Sequence, residues 1–136
     1  MNVIKKGLVI EDDSCIRMLL MQILKDAFDD SLDNEKLELL EASDGELGFQ
    51  MAQNARPDLI FSDIMMPKMD GFEVCRKVKN DDNLKGVYFV LITASQGVDK
   101  IKMEAVGCEE FMTKPYDFEQ IILTVENVLG IKRDSP

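Results

Sequence analysis

The stretch VYFVLI, residues 87–92, is the segment of the chain that most strongly predicts a β-strand. It is apolar on both faces and rich in β-branched and aromatic residues, which is typical of a central strand in a parallel sheet covered on both sides. Weaker segments of the same kind occur at residues 7–10, 36–42, 58–62 and 109–113. The sequence therefore predicts five strands, with residues 87–92 inside the sheet.

The stretches between these strands carry apolar residues at helical spacing. Helices are predicted at residues 16–27, 44–55, 72–78, 98–105 and 118–129, of which the fourth has the weakest pattern. Either Ser43 or Asp44 could cap the second helix, and Gly130 ends the last one. Five strands that alternate with five helices predict a doubly wound α/β domain with a parallel sheet and right-handed crossovers.

The length of the chain, 136 residues, is that of a single domain with a substantial core. We expect this domain to occupy residues 1–130 and residues 131–136 to form a C-terminal tail or linker. In doubly wound sheets, ligands bind in the crevice beyond the carboxyl ends of the strands. The residues that follow each predicted strand are therefore the candidates for function.

The composition excludes several functions. Lys and Arg number 16 against 26 Asp and Glu, which gives a net charge of -10. Direct nucleic-acid binding is not expected, because contact with a phosphate backbone requires clustered positive charge. The chain has no histidine, which excludes Ser-His-Asp and Cys-His catalysis and histidine metal ligands. If the chain handles phosphate, the phosphohistidine must therefore lie on another protein.

The cysteines and the hydropathy pattern predict a cytoplasmic protein. Cys15, Cys75 and Cys108 are odd in number and form no CxxC pair, so we predict buried or half-buried thiols in a reducing compartment. No secretion signal is visible at the N-terminus. The most apolar stretch, residues 87–92, is far too short to span a bilayer, so membrane insertion is not expected.

Charged and hydroxyl side chains follow the strands expected near the centre of the sheet: Glu11, Asp12 and Asp13 after the first, Asp63 after the third, Thr93 after the fourth and Lys114 after the fifth. Carboxylates this close repel one another unless a cation lies among them. Mg²⁺ fits, because it prefers one or two carboxylates together with water and phosphate oxygens. Lys114 and Thr93 could contact a phosphoryl oxygen, so the set has the parts that phosphoryl transfer requires.

These motifs resemble those of the response-regulator receiver family of two-component signalling, which includes chemotaxis regulators. The resemblance rests on LVIEDD at residues 8–13, DIMMP at 63–67, Asp70-Gly71, Thr93-Ala94 and Lys114-Pro115, in this order. It covers residues 7–129. It implies a flavodoxin-like fold with the strand order 2-1-3-4-5.

The resemblance also implies a role for each site residue. Asp63 would accept a phosphoryl group from the phosphohistidine of a sensor histidine kinase or a histidine phosphotransfer protein. Lys114 would contact the phosphoryl group, and Thr93 would turn toward it. The implied Mg²⁺ ligands are Asp12 directly, Glu11 mostly through water, Asp63, and the backbone carbonyl of Met65. Such a domain catalyses only its own phosphorylation and dephosphorylation and is otherwise not an enzyme.

Two further features of the family concern switching and signal lifetime. Phe111 is either an aromatic switch that turns inward when Thr93 moves, or an ordinary core residue. As a switch it would change the surface formed by the fourth predicted helix, the fifth strand and the fifth predicted helix. Met65 and Ser95 would flank the water that hydrolyses the aspartyl phosphate. Neither side chain orients that water well, so we expect the phosphoryl group to persist for minutes or longer.

The sequence departs from the family pattern at few positions. Glu11 replaces the commoner aspartate, and its metal-binding role is retained. Asp13 is better explained as the cap of the first helix than as a site residue. Between Lys114 and Lys132 there is no Lys or Arg, so the dimer that winged-helix regulators form through their switch surface is not expected. We predict a monomer or a weak dimer.

Three other functions are compatible with parts of this pattern. A Mg²⁺-dependent phosphatase of the haloacid-dehalogenase type also uses a strand-end aspartate nucleophile, but it needs a second aspartate where this chain has Met65. A receiver-like interaction module that is never phosphorylated should have lost an acid, the threonine or the lysine, and all are present here. Flavodoxin-like cofactor binding is not favoured, because no phosphate-binding loop follows the first strand.

Overall fold

The computed structural model describes residues 3–94 and 100–135. Its centre is a parallel five-stranded sheet in the order β2-β1-β3-β4-β5, which confirms the expected fold class and strand order. The strands are β1 (Lys5–Ile10), β2 (Leu37–Ala42), β3 (Leu59–Asp63), β4 (Tyr88–Thr93) and β5 (Glu110–Thr113). Ile10 pairs with Ser62, and Asp63 pairs with Ile92. The central strands therefore end at one edge of the sheet.

The described residues contain six helices, one more than the sequence predicts. They are α1 (Ser14–Ala27), α2 (Asp29–Asp33), α3 (Gly45–Ala55), α4 (Gly71–Asn80), α5 (Lys100–Val106) and α6 (Phe118–Leu129). The unpredicted helix is α2, which has five residues and no side-chain cap. So short a helix shows no 3.6-residue period, which is why the sequence pattern did not predict it. Val98, which the sequence assigns to the fourth predicted helix, lies outside the described residues.

Two hydrophobic clusters cover the two faces of the sheet. Leu8 and Phe89 belong to the cluster under α3 and α4. Val9 and Val90 belong to the cluster under α1 and α6. Successive side chains of a strand point to opposite faces, so β1 and β4 contribute to both clusters. The prediction that residues 87–92 form a strand covered on both sides is confirmed for β4, in which every residue after Tyr88 is buried.

Four aspartates cap helices at their N-termini. The Asp13 carboxylate accepts hydrogen bonds from the backbone N–H groups of Cys15 and Ile16, which confirms the capping role predicted for Asp13. Asp44, and not Ser43, caps α3. Asp70 and Asp117 cap α4 and α6 in the same way. These acids therefore serve local structure.

Residues 131–135 lie against the helices of the domain. Arg133 pairs with Glu126 at 2.8 Å and with Glu119 at 2.8 Å, both on α6. The Asp134 N–H donates to the Ala27 carbonyl at 2.7 Å. The chain after α6 thus returns across the ends of α6 and α1 and supplies the acids of α6 with a cation that α6 itself lacks.

Within the described ranges, no helix is long and apolar enough to cross a bilayer. The expectation of buried or half-buried thiols is confirmed for Cys75 and Cys108 but is wrong for Cys15. Cys15 is exposed because it lies on the outward face of α1, beside Met18 and Leu19, which are also exposed.

Candidate functional site

Three carboxylates meet at the carboxyl edge of the sheet. Glu11 and Asp12 directly follow β1, and Asp63 is the last residue of the neighbouring strand β3. One carboxylate oxygen from each lies within 4.8 Å of the other two. Glu11 and Asp63 are buried, whereas Asp12 is exposed. The parallel pairing of β1 with β3 brings these side chains together, as their positions at the strand ends predict.

Lys114 follows β5 and reaches back over this acidic group. Its Nζ lies 3.4 Å from Asp63 Oδ2 and 3.6 Å from Glu11 Oε1. The backbone N–H of Lys114 donates to the Thr93 carbonyl at 2.7 Å, which extends the β4–β5 pairing to the edge of the sheet. The ammonium group therefore lies between two buried carboxylates and compensates part of their charge.

Glu11 is the most extensively bonded acid of the site. Its Oε1 accepts the O–H of Tyr116 at 2.6 Å, and its Oε2 accepts the backbone N–H of Asp13 at 3.3 Å. Its backbone carbonyl accepts Arg17 Nη1 at 2.7 Å. Sequence reasoning did not identify Tyr116. The available signal was an aromatic side chain with a hydroxyl group two residues after Lys114, at the same edge of the sheet.

The electrostatics of the three acids differ because their partners differ. Burial, and then the charge of Glu11, raise the pKa of Asp63 to about 6, against the opposing effect of Lys114. Burial also acts to raise the pKa of Glu11, but the hydrogen bonds from Tyr116 and the Asp13 N–H, with the charge of Lys114, hold that pKa below its usual value. Although Asp12 is largely exposed, the partial loss of water on its side toward the site, and then Glu11, raise its pKa. Without a cation, the three carboxylates therefore repel one another, and the effect is largest on Asp63 and Asp12.

Of the other predicted site residues, Thr93, Phe111 and Met65 lie within the described part of the chain. Thr93 is buried at the end of β4 and pairs in register with Thr113. Phe111 is 43% exposed on the edge strand β5, so it is not a core residue. Met65 is 74% exposed in the loop after β3. Ser95 lies outside the described residues.

The loop after Asp63 is fixed by close backbone contact at Gly71, the first residue of α4. The Gly71 N–H donates to the Ile64 carbonyl at 2.9 Å. A Cβ atom on Gly71 would lie 2.3 Å from the Asp63 carbonyl oxygen and 2.9 Å from the Ile64 Cα. Both neighbours are backbone atoms, so a side chain here must displace either α4 or the end of β3. The glycine thus positions the strand end that presents Asp63.

Gly71→Ala is expected to lower the free energy of unfolding by about 1–3 kcal/mol, because the new methyl group overpacks the contact between α4 and β3. Urea denaturation measures the change. Gly86→Ala is the matched control, because a Cβ at Gly86 would meet nothing within 4 Å. A loss of the same size in both variants would contradict the role assigned to Gly71.

The donor set fits Mg²⁺. Glu11, Asp12 and Asp63 offer only oxygen ligands, and hard divalent cations bind oxygen. A cation would also relieve the repulsion that raises the pKa of Asp63 and Asp12. The Met65 carbonyl, at the start of the adjoining loop, stays a predicted fourth ligand.

Fold and site together define a flavodoxin-like doubly wound domain with an acidic, lysine-bearing crevice at the carboxyl edge of its sheet. Residues 8–126 match the family of the response regulator receiver domain. The match covers most of the chain, and the chain belongs to this family. It is therefore a receiver domain of two-component signalling, a class of signalling modules that bind Mg²⁺ at an acidic pocket and act with histidine kinases.

Individual relatives agree with this assignment. The chain is 40% identical over 99 residues to Response regulator PleD of Caulobacter vibrioides, in an alignment that covers 72% of this chain and 22% of PleD. It is 31% identical over 123 residues to Histidine kinase P4 of Formosa agariphila, covering 90% of this chain and 8% of that protein. The chain thus spans only a small part of these two relatives.

The fold agreement extends to solved structures. The high-resolution structure of the chemotaxis response regulator CheY4 of Vibrio cholerae has a TM-score of 0.77 and 29% sequence identity to this chain. The alignment covers 93% of this chain and 99% of CheY4. This chain and CheY4 therefore share the fold over nearly their whole lengths.

Proposed function

We propose that the chain accepts a phosphoryl group on the Asp63 carboxylate from a phosphohistidine of another protein. The observation that carries the proposal is a buried aspartate at the end of β3, with Lys114 Nζ 3.4 Å from its Oδ2 and two further acids beside it. A carboxylate oxygen of Asp63 forms the new P–O bond, the N–P bond of the donor breaks, and the imidazole keeps the electron pair and gains a proton. Bound Mg²⁺ would supply positive charge for the phosphoryl oxygens.

Each of the other site residues has its own proposed role in phosphoryl transfer. The Lys114 ammonium is placed to hold a phosphoryl oxygen as the negative charge shifts from donor to acceptor. The Thr93 hydroxyl can donate to another of these oxygens. Glu11 and Asp12 would hold Mg²⁺, with Asp63 and the Met65 carbonyl as further ligands. The role of each residue is part of the proposal.

The phosphohistidine lies outside these 136 residues, because they contain no histidine. We infer a sensor histidine kinase or a histidine phosphotransfer protein. Exposed apolar side chains lie near the site in sequence, at Met65 in the loop after β3 and at Met18 and Leu19 in the early turns of α1. A partner that brings a phosphohistidine to Asp63 would cover such side chains, which favours a protein donor over a free small molecule.

Phosphorylation would change the surface formed by α5, β5 and α6, and a downstream partner would recognise this change. These elements correspond to the fourth predicted helix, the fifth strand and the fifth predicted helix. Phe111 lies on β5 with its ring partly in solvent, and Thr93 lies buried on the neighbouring strand. A Thr93 side chain drawn toward the phosphoryl group would leave room that the Phe111 ring can enter. The proposed output is this change in an exposed aromatic surface.

The test is phosphorylation with acetyl phosphate and Mg²⁺, followed by intact-protein mass spectrometry. We expect one addition of about 80 Da, located at Asp63 by peptide mapping after borohydride reduction. A phosphorylated histidine phosphotransfer protein used as donor tests the partner class. Labelling at another residue, or none with either donor, would contradict the proposal.

Met65 and Ser95 are proposed to set how long the phosphoryl group persists. Met65→Asn combined with Ser95→Glu is expected to shorten the phosphoryl lifetime several-fold, because the new side chains can orient the attacking water and the native ones cannot. Positioning a single water contributes about 10²-fold or less. The measurement is decay of the phosphoprotein after the donor is removed. An unchanged or longer lifetime would show that these side chains do not control the approach of water.

A further inference from the structure

Tyr116 links the acidic site to helix α6. Its O–H donates to Glu11 Oε1 at 2.6 Å, and the Glu11 residue is 1% exposed. Its ring stacks on Phe118, the first residue of α6, with 6.3 Å between ring centroids and an interplanar angle of 6°. Lys114 Nζ lies 5.5 Å from the centre of the Tyr116 ring. The side chain is thus held by its ring and bonded to the site by its hydroxyl.

The hydroxyl is the closest donor to Glu11. The Glu11 carboxylate also accepts the Asp13 N–H at 3.3 Å and lies 3.6 Å from Lys114 Nζ, both longer than the 2.6 Å to the Tyr116 hydroxyl. Lys114 is shared with Asp63, to which it is closer. Much of the compensation of the Glu11 charge therefore comes from one phenol.

We propose that Tyr116 is a positioning residue that stabilises the metal-free form of the site and thereby sets its affinity for a divalent cation. A hydrogen bond to an uncompensated carboxylate is stronger than one to a carboxylate that shares its charge with a cation. The Tyr116 hydroxyl therefore stabilises the metal-free domain more than the metal-bound domain. An interaction that stabilises the metal-free form more than the metal-bound form lowers the affinity for the cation. This holds even if the hydrogen bond only weakens, and does not break, when the cation binds. The inference rests on the proposed Mg²⁺ site.

The test compares Tyr116→Phe with the parent by urea denaturation, first without metal and then over a titration with Mg²⁺. The ring contacts with Phe118 and Lys114 survive this substitution, so only the hydrogen bond is removed. We expect Tyr116→Phe to be less stable than the parent without metal. We expect it to bind Mg²⁺ about three- to tenfold more tightly, with the difference in stability shrinking as Mg²⁺ is added.

Tyr88→Phe is the matched control. Tyr88 donates its O–H to Glu110 Oε1 at 2.9 Å, and it is the first residue of β4, at the opposite end of that strand from the site. Removing the Tyr88 hydroxyl deletes the same kind of hydrogen bond, from a phenol to a carboxylate. The stability lost by Tyr88→Phe is expected to be the same with and without Mg²⁺, and its Mg²⁺ affinity is expected to equal that of the parent.

Tyrosine fluorescence provides a second measurement that does not require Tyr116→Phe to fold. The chain has two tyrosines and no tryptophan, so in Tyr88→Phe the emission comes from Tyr116 alone. A hydrogen bond to a carboxylate quenches phenol emission, and weakening of that bond by Mg²⁺ should raise the emission.

Emission that does not change at saturating Mg²⁺ would overturn the inference, as would equal or weaker Mg²⁺ binding by Tyr116→Phe. A parent whose stability does not respond to Mg²⁺ would instead overturn the proposed metal site.

Discussion

Asp63→Asn is expected to abolish phosphoryl uptake and, at neutral pH without metal, to make the domain more stable than the parent. Uptake is lost because an amide is not a competent nucleophile toward phosphorus at this position. Stability is gained because the native Asp63 is a buried anion beside Glu11, with a pKa raised to about 6. Activity and stability therefore move in opposite directions at this residue.

The pH dependence of this gain follows from the direction of the pKa shift. Asp63 has a higher pKa in the folded chain than in the unfolded chain, where an aspartate titrates near 3.9. Between about pH 4 and pH 6 the folded state holds the proton more tightly, so its stability falls as pH rises through this window. A shift of about two pKa units corresponds to a loss of up to about 3 kcal/mol by pH 7. Asp63→Asn lacks this loss. The stabilities of the parent and of Asp63→Asn are therefore expected to become equal toward pH 4.

Urea denaturation with EDTA at pH 4.5 and pH 7.5 measures the effect. The control is Asp82→Asn, because the side chain of Asp82 is 95% exposed and its substitution is expected to change stability by less than about 0.5 kcal/mol. Saturating Mg²⁺ should remove most of the advantage of Asp63→Asn, since the cation compensates the native carboxylate. An advantage that is equal at both pH values, or an Asp63→Asn domain that is less stable at both, would contradict the assigned cause.

The strands and the convergence of the acids could be predicted from sequence because both depend on local pattern. Apolar runs mark buried parallel strands, and parallel strands end at the same edge of the sheet. Glu11, Asp63 and Lys114 were therefore expected at one edge of the sheet once β1, β3 and β5 were located, and the strand order that brings them together came from the family resemblance. Helix α2 lacked any such pattern, since five residues are too few to show an amphipathic period.

Tyr116 and Arg133 show why the contacts made by side chains outside the strand ends could not be predicted from the sequence. The Tyr116 hydroxyl reaches Glu11 across 105 positions of sequence, along a path set by the turn that follows Lys114. Arg133 reaches the acids of α6 only because the chain turns back after Gly130. Neither contact has a periodic or motif signature. The sequence also could not predict whether Phe111 is exposed. β5 is an edge strand, and the alternation of its residues does not show which side chains the neighbouring helices cover.

Asp12→Ala is expected to weaken Mg²⁺ binding by at least about tenfold, the loss expected when a ligand of a small carboxylate site is removed. In the parent, Mg²⁺ at ten times its dissociation constant should stabilise the folded domain by about 1.4 kcal/mol, because the unfolded chain offers no such site. That gain raises the melting temperature by a few degrees for a domain of this size. In Asp12→Ala most of the gain should be absent at the same Mg²⁺ concentration. Phosphorylation should require correspondingly more Mg²⁺.

The metal-free form of Asp12→Ala should be no less stable than the metal-free parent. Burial and the neighbouring Glu11 charge raise the pKa of Asp12, so the substitution removes a carboxylate that is repelled in the absence of a cation. Asp13→Asn is the matched control: it removes a negative charge one residue away, and asparagine retains the cap of α1. Melting curves with and without millimolar Mg²⁺ compare the three proteins. If Asp13→Asn lost the Mg²⁺ response as fully as Asp12→Ala, the response would reflect general charge screening and not a ligand at Asp12.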